Sequence, residues 1–141
     1  MAEKEMKNNQ REVFMPELYS TTPQPHLIAG RCKACGKYTF PKYYACPFCY
    51  SDELEDAPLS SKGTLHSFTI VRRSLPDYPV PYGLGLVDFP EGVRVMAQIE
   101  ADNLEGLKLD MEMEVTVGPF RKSKDGKDMI SYKFRPLFGD R

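Results

Sequence analysis

The feature that most constrains this chain is the spacing of its four cysteines: Cys32-Lys-Ala-Cys35, ten residues, then Cys46-Pro-Phe-Cys49. Two residues between paired cysteines let a tight turn aim both thiolates at one ion. Two such turns supply the four sulfurs of a tetrahedral site. Gly36 follows the first pair, where a knuckle turn needs positive φ, and Pro47 stiffens the second. The pattern predicts a zinc ribbon with Cys32, Cys35, Cys46 and Cys49 as ligands. Iron, as in rubredoxin, is the less favoured occupant of the same sulfurs. Two redox-active pairs would need a thioredoxin-like βαβ context that the sequence lacks. Four protein thiolates close the coordination sphere, so the metal is expected to be structural, contributing on the order of 10 kcal/mol to folding.

The rest of the composition narrows the classes further. Net charge is −1 with a pI near 6.1, so no global field recruits polyanions, and nucleic acid is an unfavoured partner. No apolar run approaches the ~20 residues that span a bilayer. The first ten residues, MAEKEMKNNQ, lack the apolar core of an export signal, so the cytoplasm is the expected location.

Three segments are expected. Residues 1–13 are polar and read as a flexible N-terminus. Residues 14–58 hold a helical turn beginning at Pro16, the ribbon, and an acidic connector from Asp52 to Pro58. Between the knuckles, GKYTFPKYYA reads as two short extended stretches. Residues 59–141 change to a period of two, the mark of strands. Lys62–Arg73 and Tyr82–Phe89 are the first two, the latter with Gly83 and Gly85 on one face. Val93–Ala101 turns Val93, Val95, Ala97 and Ile99 to one side, with Met96 interrupting the polar side. Met111–Val117 repeats the alternation, and Asp125-Gly126 marks a hairpin into a last strand with Ile130, Tyr132 and Phe134. The fold class is therefore mainly β: a short N-terminal helix, a rubredoxin-like ribbon and a five-stranded barrel. An OB-type barrel is the first choice and an SH3-like barrel the second.

Signs of independent catalysis are missing. The metal takes every cysteine, and no nucleophile elbow, P-loop or dinucleotide fingerprint occurs. His66 reads as a packed or half-exposed strand residue rather than a general base, and His26 likewise has no partner motif. Arg31, Lys33, Lys37 and Lys42 decorate the ribbon, and basic residues from Arg121 to Arg135 surround the last hairpin. Such runs are ordinarily solvated faces. The sharper alternative is an OB-fold surface holding single-stranded nucleic acid, or a phosphate-bearing cofactor such as coenzyme A.

Particular stretches are familiar. GRCKACGKYTFPKYYACPFC (Gly30–Cys49), KGTLHSFTIVRR (Lys62–Arg73), PVPYGLGLVDFPEGVRV (Pro79–Val95) and LDMEMEVTVGPF (Leu109–Phe120) resemble the acyl-CoA-associated OB-fold proteins with a rubredoxin-like zinc ribbon. The likeness spans residues 14–138. Asp110 departs from it, standing where the family is expected to favour Gly. The resemblance implies a non-catalytic accessory subunit in a hetero-oligomer with a thiolase-fold catalytic subunit, whose own cysteine performs the acyl chemistry. It further implies a coenzyme A thioester as ligand of the complex, in routes that handle steroids or aromatic acids. The PVPYG loop, with Pro81, Tyr82 and Gly83, is the candidate contact loop, and a plain barrel turn is its alternative. Arg72, Arg73 and Lys122 are candidates for phosphate contact.

Overall fold

The computed structural model describes residues 11–13 and 15–137. Ten strands occur among them: β1 (Arg11–Val13), β2 (Tyr19–Ser20), β3 (His26–Cys32), β4 (Tyr38–Thr39), β5 (Leu54–Pro58), β6 (Lys62–Val71), β7 (Tyr82–Asp88), β8 (Arg94–Ile99), β9 (Glu112–Lys122) and β10 (Asp128–Pro136). The expected short helix is a single 3-10 turn, Pro16–Leu18, with proline at its start. No helix among the described residues is long and apolar enough to cross a membrane.

Five strands close a barrel. β6, β7 and β8 form an antiparallel meander, β8 meets β10 in parallel, β10 pairs with β9, and β9 returns to β6. This Greek-key circuit is that of an OB barrel and settles the choice against the SH3-like alternative. Two bulges bend it. His66 is the extra residue of β6 opposite Leu86 and Val87, and β9 shifts register around Phe120 opposite Met129 and Ile130. Asp125-Gly126 forms the expected hairpin, with Gly126 at φ 80 and its N–H donating to the Ser123 carbonyl at 3.0 Å.

The alternating residues meet inside. Leu65, Val87, Val95, Ile99, Met113, Val115 and Phe134 are all buried, while Met96 on the opposite face is 59% exposed. Gly85 is required by this packing. A Cβ there would lie 2.6 Å from Ile99 Cδ1 and 3.1 Å from the Ser67 carbonyl oxygen.

The ribbon departs from expectation in two places. Between the knuckles only β4 is a strand. The acidic stretch expected to be a connector instead supplies β5, paired antiparallel with β3. Its acids find cations once paired: Arg31 of β3 lies 3.5 Å from Glu55, and Lys42, in the loop after β4, lies 2.8 Å from Asp56. At the other end of the chain, β1 adds to the outer edge of β10 in parallel, so residues 11–13 are part of a sheet; residues 1–10 lie outside the described part.

Asp110 occupies the left-handed region at φ 67, the conformation a glycine takes without steric cost. Its N–H donates to the Leu65 carbonyl at 2.8 Å, which holds the turn into β9 in place. Two glycine exchanges should therefore move stability in opposite directions. Asp110→Gly should stabilise by roughly 0.5 kcal/mol. Gly85→Ala should destabilise by about 1–3 kcal/mol through overpacking. Urea titrations read both, and equal signs would refute the packing account.

Candidate functional site

β3 ends at Cys32 and delivers the first knuckle, while the loop after β4 delivers the second. In each, a backbone N–H closes the turn onto the first cysteine: Gly36 donates to the Cys32 carbonyl and Tyr50 to the Cys46 carbonyl, both at 2.8 Å. All four Sγ atoms then lie within 4.8 Å of one another. Cys32 Sγ is 3.5 Å from Cys49 Sγ, and Cys35 Sγ is 3.7 Å from Cys46 Sγ. A tetrahedral zinc with Zn–S near 2.3 Å needs sulfurs about 3.8 Å apart, so this donor set fits the ion. These separations are far too long for disulfides, and the four cysteines are free thiols.

Electrostatics favour thiolates at the buried positions. The Cys35 N–H lies 3.5 Å from Cys32 Sγ, and this contact leads in lowering the Cys32 thiol to about 6, against the opposing effect of burial. The Phe48 N–H donates to Cys46 Sγ at 3.4 Å. For Cys49, the Ser51 backbone N–H pulls downward, but its neighbouring thiols and burial push it up to about 12. Sulfurs this close cannot all ionise without a cation between them. Arg31, Lys33 and Lys37 surround the knuckles, and no acid stands between Gly30 and Ser51 to oppose them.

The barrel carries a second candidate region. Pro81, Tyr82 and Lys122 line one cavity of about 390 Å³ together with Phe120, Arg121 and Lys133. Tyr82 is half-buried, its ring 6.4 Å from that of Tyr78, over which the Arg121 guanidinium sits at 5.7 Å. Gly83 is buried against Ile99 and Leu104 instead. Arg72 pairs with Glu105 at 2.8 Å, and Arg73 is exposed. Tyr82, Gln98 and Phe120 are shared with an adjoining apolar cavity of about 270 Å³, bounded by Met15, Leu18, Met96 and Tyr132. The single sequence sign of that cavity was Met96, out of place on a polar face.

The histidines stand apart from both regions. His26 Nδ1–H donates to the Gln24 carbonyl at 2.8 Å. His66 sits at its bulge with Nδ1 3.6 Å from Asp88 Oδ2. The hydrogen bond from Arg94 holds that carboxyl below the usual carboxylate range.

Family models for the ChsH2 rubredoxin-like zinc ribbon domain and the ChsH2 C-terminal OB-fold domain match residues 22–55 and 56–118. Benzoylsuccinyl-CoA thiolase subunit BbsA of Thauera aromatica is 39% identical over 127 residues, covering 88% of each chain. The chain belongs to the ChsH2 family of zinc-ribbon and OB-fold proteins. Another relative, BbsA of Geobacter metallireducens, is 34% identical over 97% of this chain and 99% of its own. A DUF35 domain-containing scaffold protein of Pyrococcus furiosus is 40% identical over 114 residues, 79% of this chain and 83% of its own. Among solved structures, the Ltp2-ChsH2(DUF35) aldolase shares the fold, with a TM-score of 0.66 at 21% identity over 79% of this chain and 84% of that one.

A four-thiolate centre makes a direct prediction for this ChsH2-family chain. Elemental analysis should find one zinc per chain. Cys46→Ser, at a buried ligand, should abolish that zinc and lower the melting temperature by more than 10 °C, since structural zinc contributes on the order of 10 kcal/mol. Stoichiometric iron, or a melting curve indifferent to a strong chelator, would refute the zinc assignment.

Proposed function

We propose that this chain is a non-catalytic accessory subunit, braced by zinc at Cys32, Cys35, Cys46 and Cys49, of a thiolase-type acyltransferase. The thiolase that the similarity favours is benzoylsuccinyl-CoA thiolase. The observation that carries the reading is the convergence of every cysteine of the chain into one closed tetrathiolate centre. Acyl transfer through a thioester needs a free thiolate, and none is left. The chemistry therefore belongs to a partner, and near full-length similarity to two BbsA thiolase subunits supplies its class.

Within that complex the barrel cavity is the part assigned to the acyl-CoA. Tyr82 offers a half-buried aromatic rim beside the exposed Pro81, and Arg121 stands at the same opening next to the Lys122–Asp128 pair. The cavity is too small to enclose a whole acyl-CoA, so the catalytic subunit must complete the enclosure.

The nucleic-acid reading is weakened because three of the six basic residues from Arg121 to Arg135 are already paired. Lys122 pairs with Asp128, Lys133 with Glu100 and Arg135 with Glu114. Phosphate tracking along a strand needs cations that are not already neutralised.

Affinity purification of the tagged chain from its source cells tests the proposal. A much larger thiolase-fold subunit should co-purify, and neither chain alone should turn over acyl-CoA. A catalytic subunit that is fully active and fully stable without this chain would end the accessory-subunit reading.

A further inference from the structure

The two zinc knuckles are close copies of one another with one discrepancy. In both, the residue after the second cysteine takes positive φ and donates its N–H to the carbonyl of the first cysteine at 2.8 Å. At the first knuckle that residue is Gly36, at φ 79. At the second it is Tyr50, at φ 66. A bulky side chain in the left-handed region is costly and infrequent. Burial could offset such a cost, but Tyr50 is 83% exposed. The tyrosine therefore opposes the stability of the fold that holds it.

Its neighbours make the same point. Tyr44 is 95% exposed, Phe48 55% and Tyr43 49%, so four large aromatic residues face solvent within eight positions. Together they present on the order of 600 Å² of aromatic surface, taking ~200 Å² for a whole ring-bearing side chain. That stands at the upper end of what a monomer ordinarily leaves uncovered and approaches one side of a standard protein interface, about 800 Å². Tyr43 and Phe48 also line an open cavity of about 520 Å³ that reaches the barrel turn at Gly92. Rigid exposed aromatics beside a concavity are what interface anchors look like before binding.

Charge selects the kind of partner. Between Gly30 and Ser51 stand four cations and no acid, but Asp52, Glu53, Glu55 and Asp56 follow directly, so positive charge is local to the knuckles rather than a property of the whole ribbon. Arg31 and Lys42 are paired with Glu55 and Asp56, whereas Lys33 and Lys37 have no carboxylate partner among the described residues. Lys37 lies over the Phe48 ring at 4.6 Å. Two available cations are too few to track a phosphate backbone, but they suit carboxylates rimming an apolar protein surface.

We infer that Tyr43, Tyr44, Phe48 and Tyr50 form the docking face of this subunit, and that its occupant is an acidic-rimmed apolar surface on the thiolase-fold catalytic subunit. The inference rests on the accessory-subunit reading and deepens it, because the ribbon becomes the anchor and the barrel cavity stays free for acyl-CoA.

Tyr50→Gly and Tyr44→Ser are measured against wild type by calorimetric titration with the co-purifying thiolase-fold subunit, together with melting temperature and zinc content. Tyr50→Gly should retain its zinc and melt about 3 °C higher. It should nevertheless bind the catalytic subunit at least tenfold more weakly. Tyr44→Ser should melt like wild type and also bind at least tenfold more weakly. A residue with a merely structural role cannot gain stability while losing affinity. Wild-type affinity in both variants overturns the docking face and leaves the accessory-subunit reading intact. Failure of the wild-type chain to bind any thiolase-fold subunit sinks that reading first. Light scattering that shows self-association lost in the variants would assign the face to a second copy of this chain. Salt-sensitive binding of a single-stranded oligonucleotide, lost in the same variants, would assign it to nucleic acid. Either result overturns the inference.

Discussion

Everything in the N-terminal half of this protein depends on four sulfur atoms meeting. β2 and β4 are two residues long, and β3 with β5 makes a sheet too small to bury a core of its own. The thiolate cluster fixes both knuckles, and the knuckles fix the direction in which β3 leaves and β5 returns. The pair of Arg31 with Glu55 across the strands, and that of Lys42 from the loop after β4 with Asp56, add register, but these pairs are about two-fifths exposed or more and carry little energy alone. The ribbon in turn seats Tyr19, Leu27, Ala29 and Leu59 in the same core as Phe89 and Phe134 of the barrel, so the two modules share one interior.

The closure of the site follows from the same constraint. Thiolates that saturate a metal are withheld from nucleophilic chemistry, and the two histidines are held by a carbonyl and by Asp88 at separate places. What remains available is surface: aromatic side chains on one module and a half-buried groove on the other. Such a chain offers two surfaces and a closed metal site. Its similarity to subunits and scaffold proteins is consistent with that physical division.

Much of the architecture was legible in the sequence because its determinants are local. Cysteine spacing, the alternation from Val93 to Ile99, and the Asp125-Gly126 turn each specify structure within a few residues. The parts that escaped are those specified at a distance. Residues 54–58 read as a linker because their acids find Arg31 and Lys42 only after the chain has turned back. The continuation of β9 past Pro119 is invisible locally, since a proline ordinarily argues against a strand; the bulge at Phe120 accommodates it. The groove escaped as well, because Tyr82, Met96 and Phe120 come from three strands and converge only when the barrel closes. The glycine expected at position 110 illustrates both sides: the backbone does adopt the left-handed turn, and Asp110 tolerates it.

The barrel circuit also orders events during synthesis. β10 bonds to β1, β8 and β9, and without it β8 and β9 are the two open edges of an unclosed sheet. On a ribosome, therefore, the meander of β6 to β8 must wait with an open edge until residue 136 has emerged, while the ribbon is complete once residue 58 is clear of the tunnel. The metal-held module is thus the first folded part of the nascent chain, and the last strand translated determines when the barrel can no longer recruit a foreign strand.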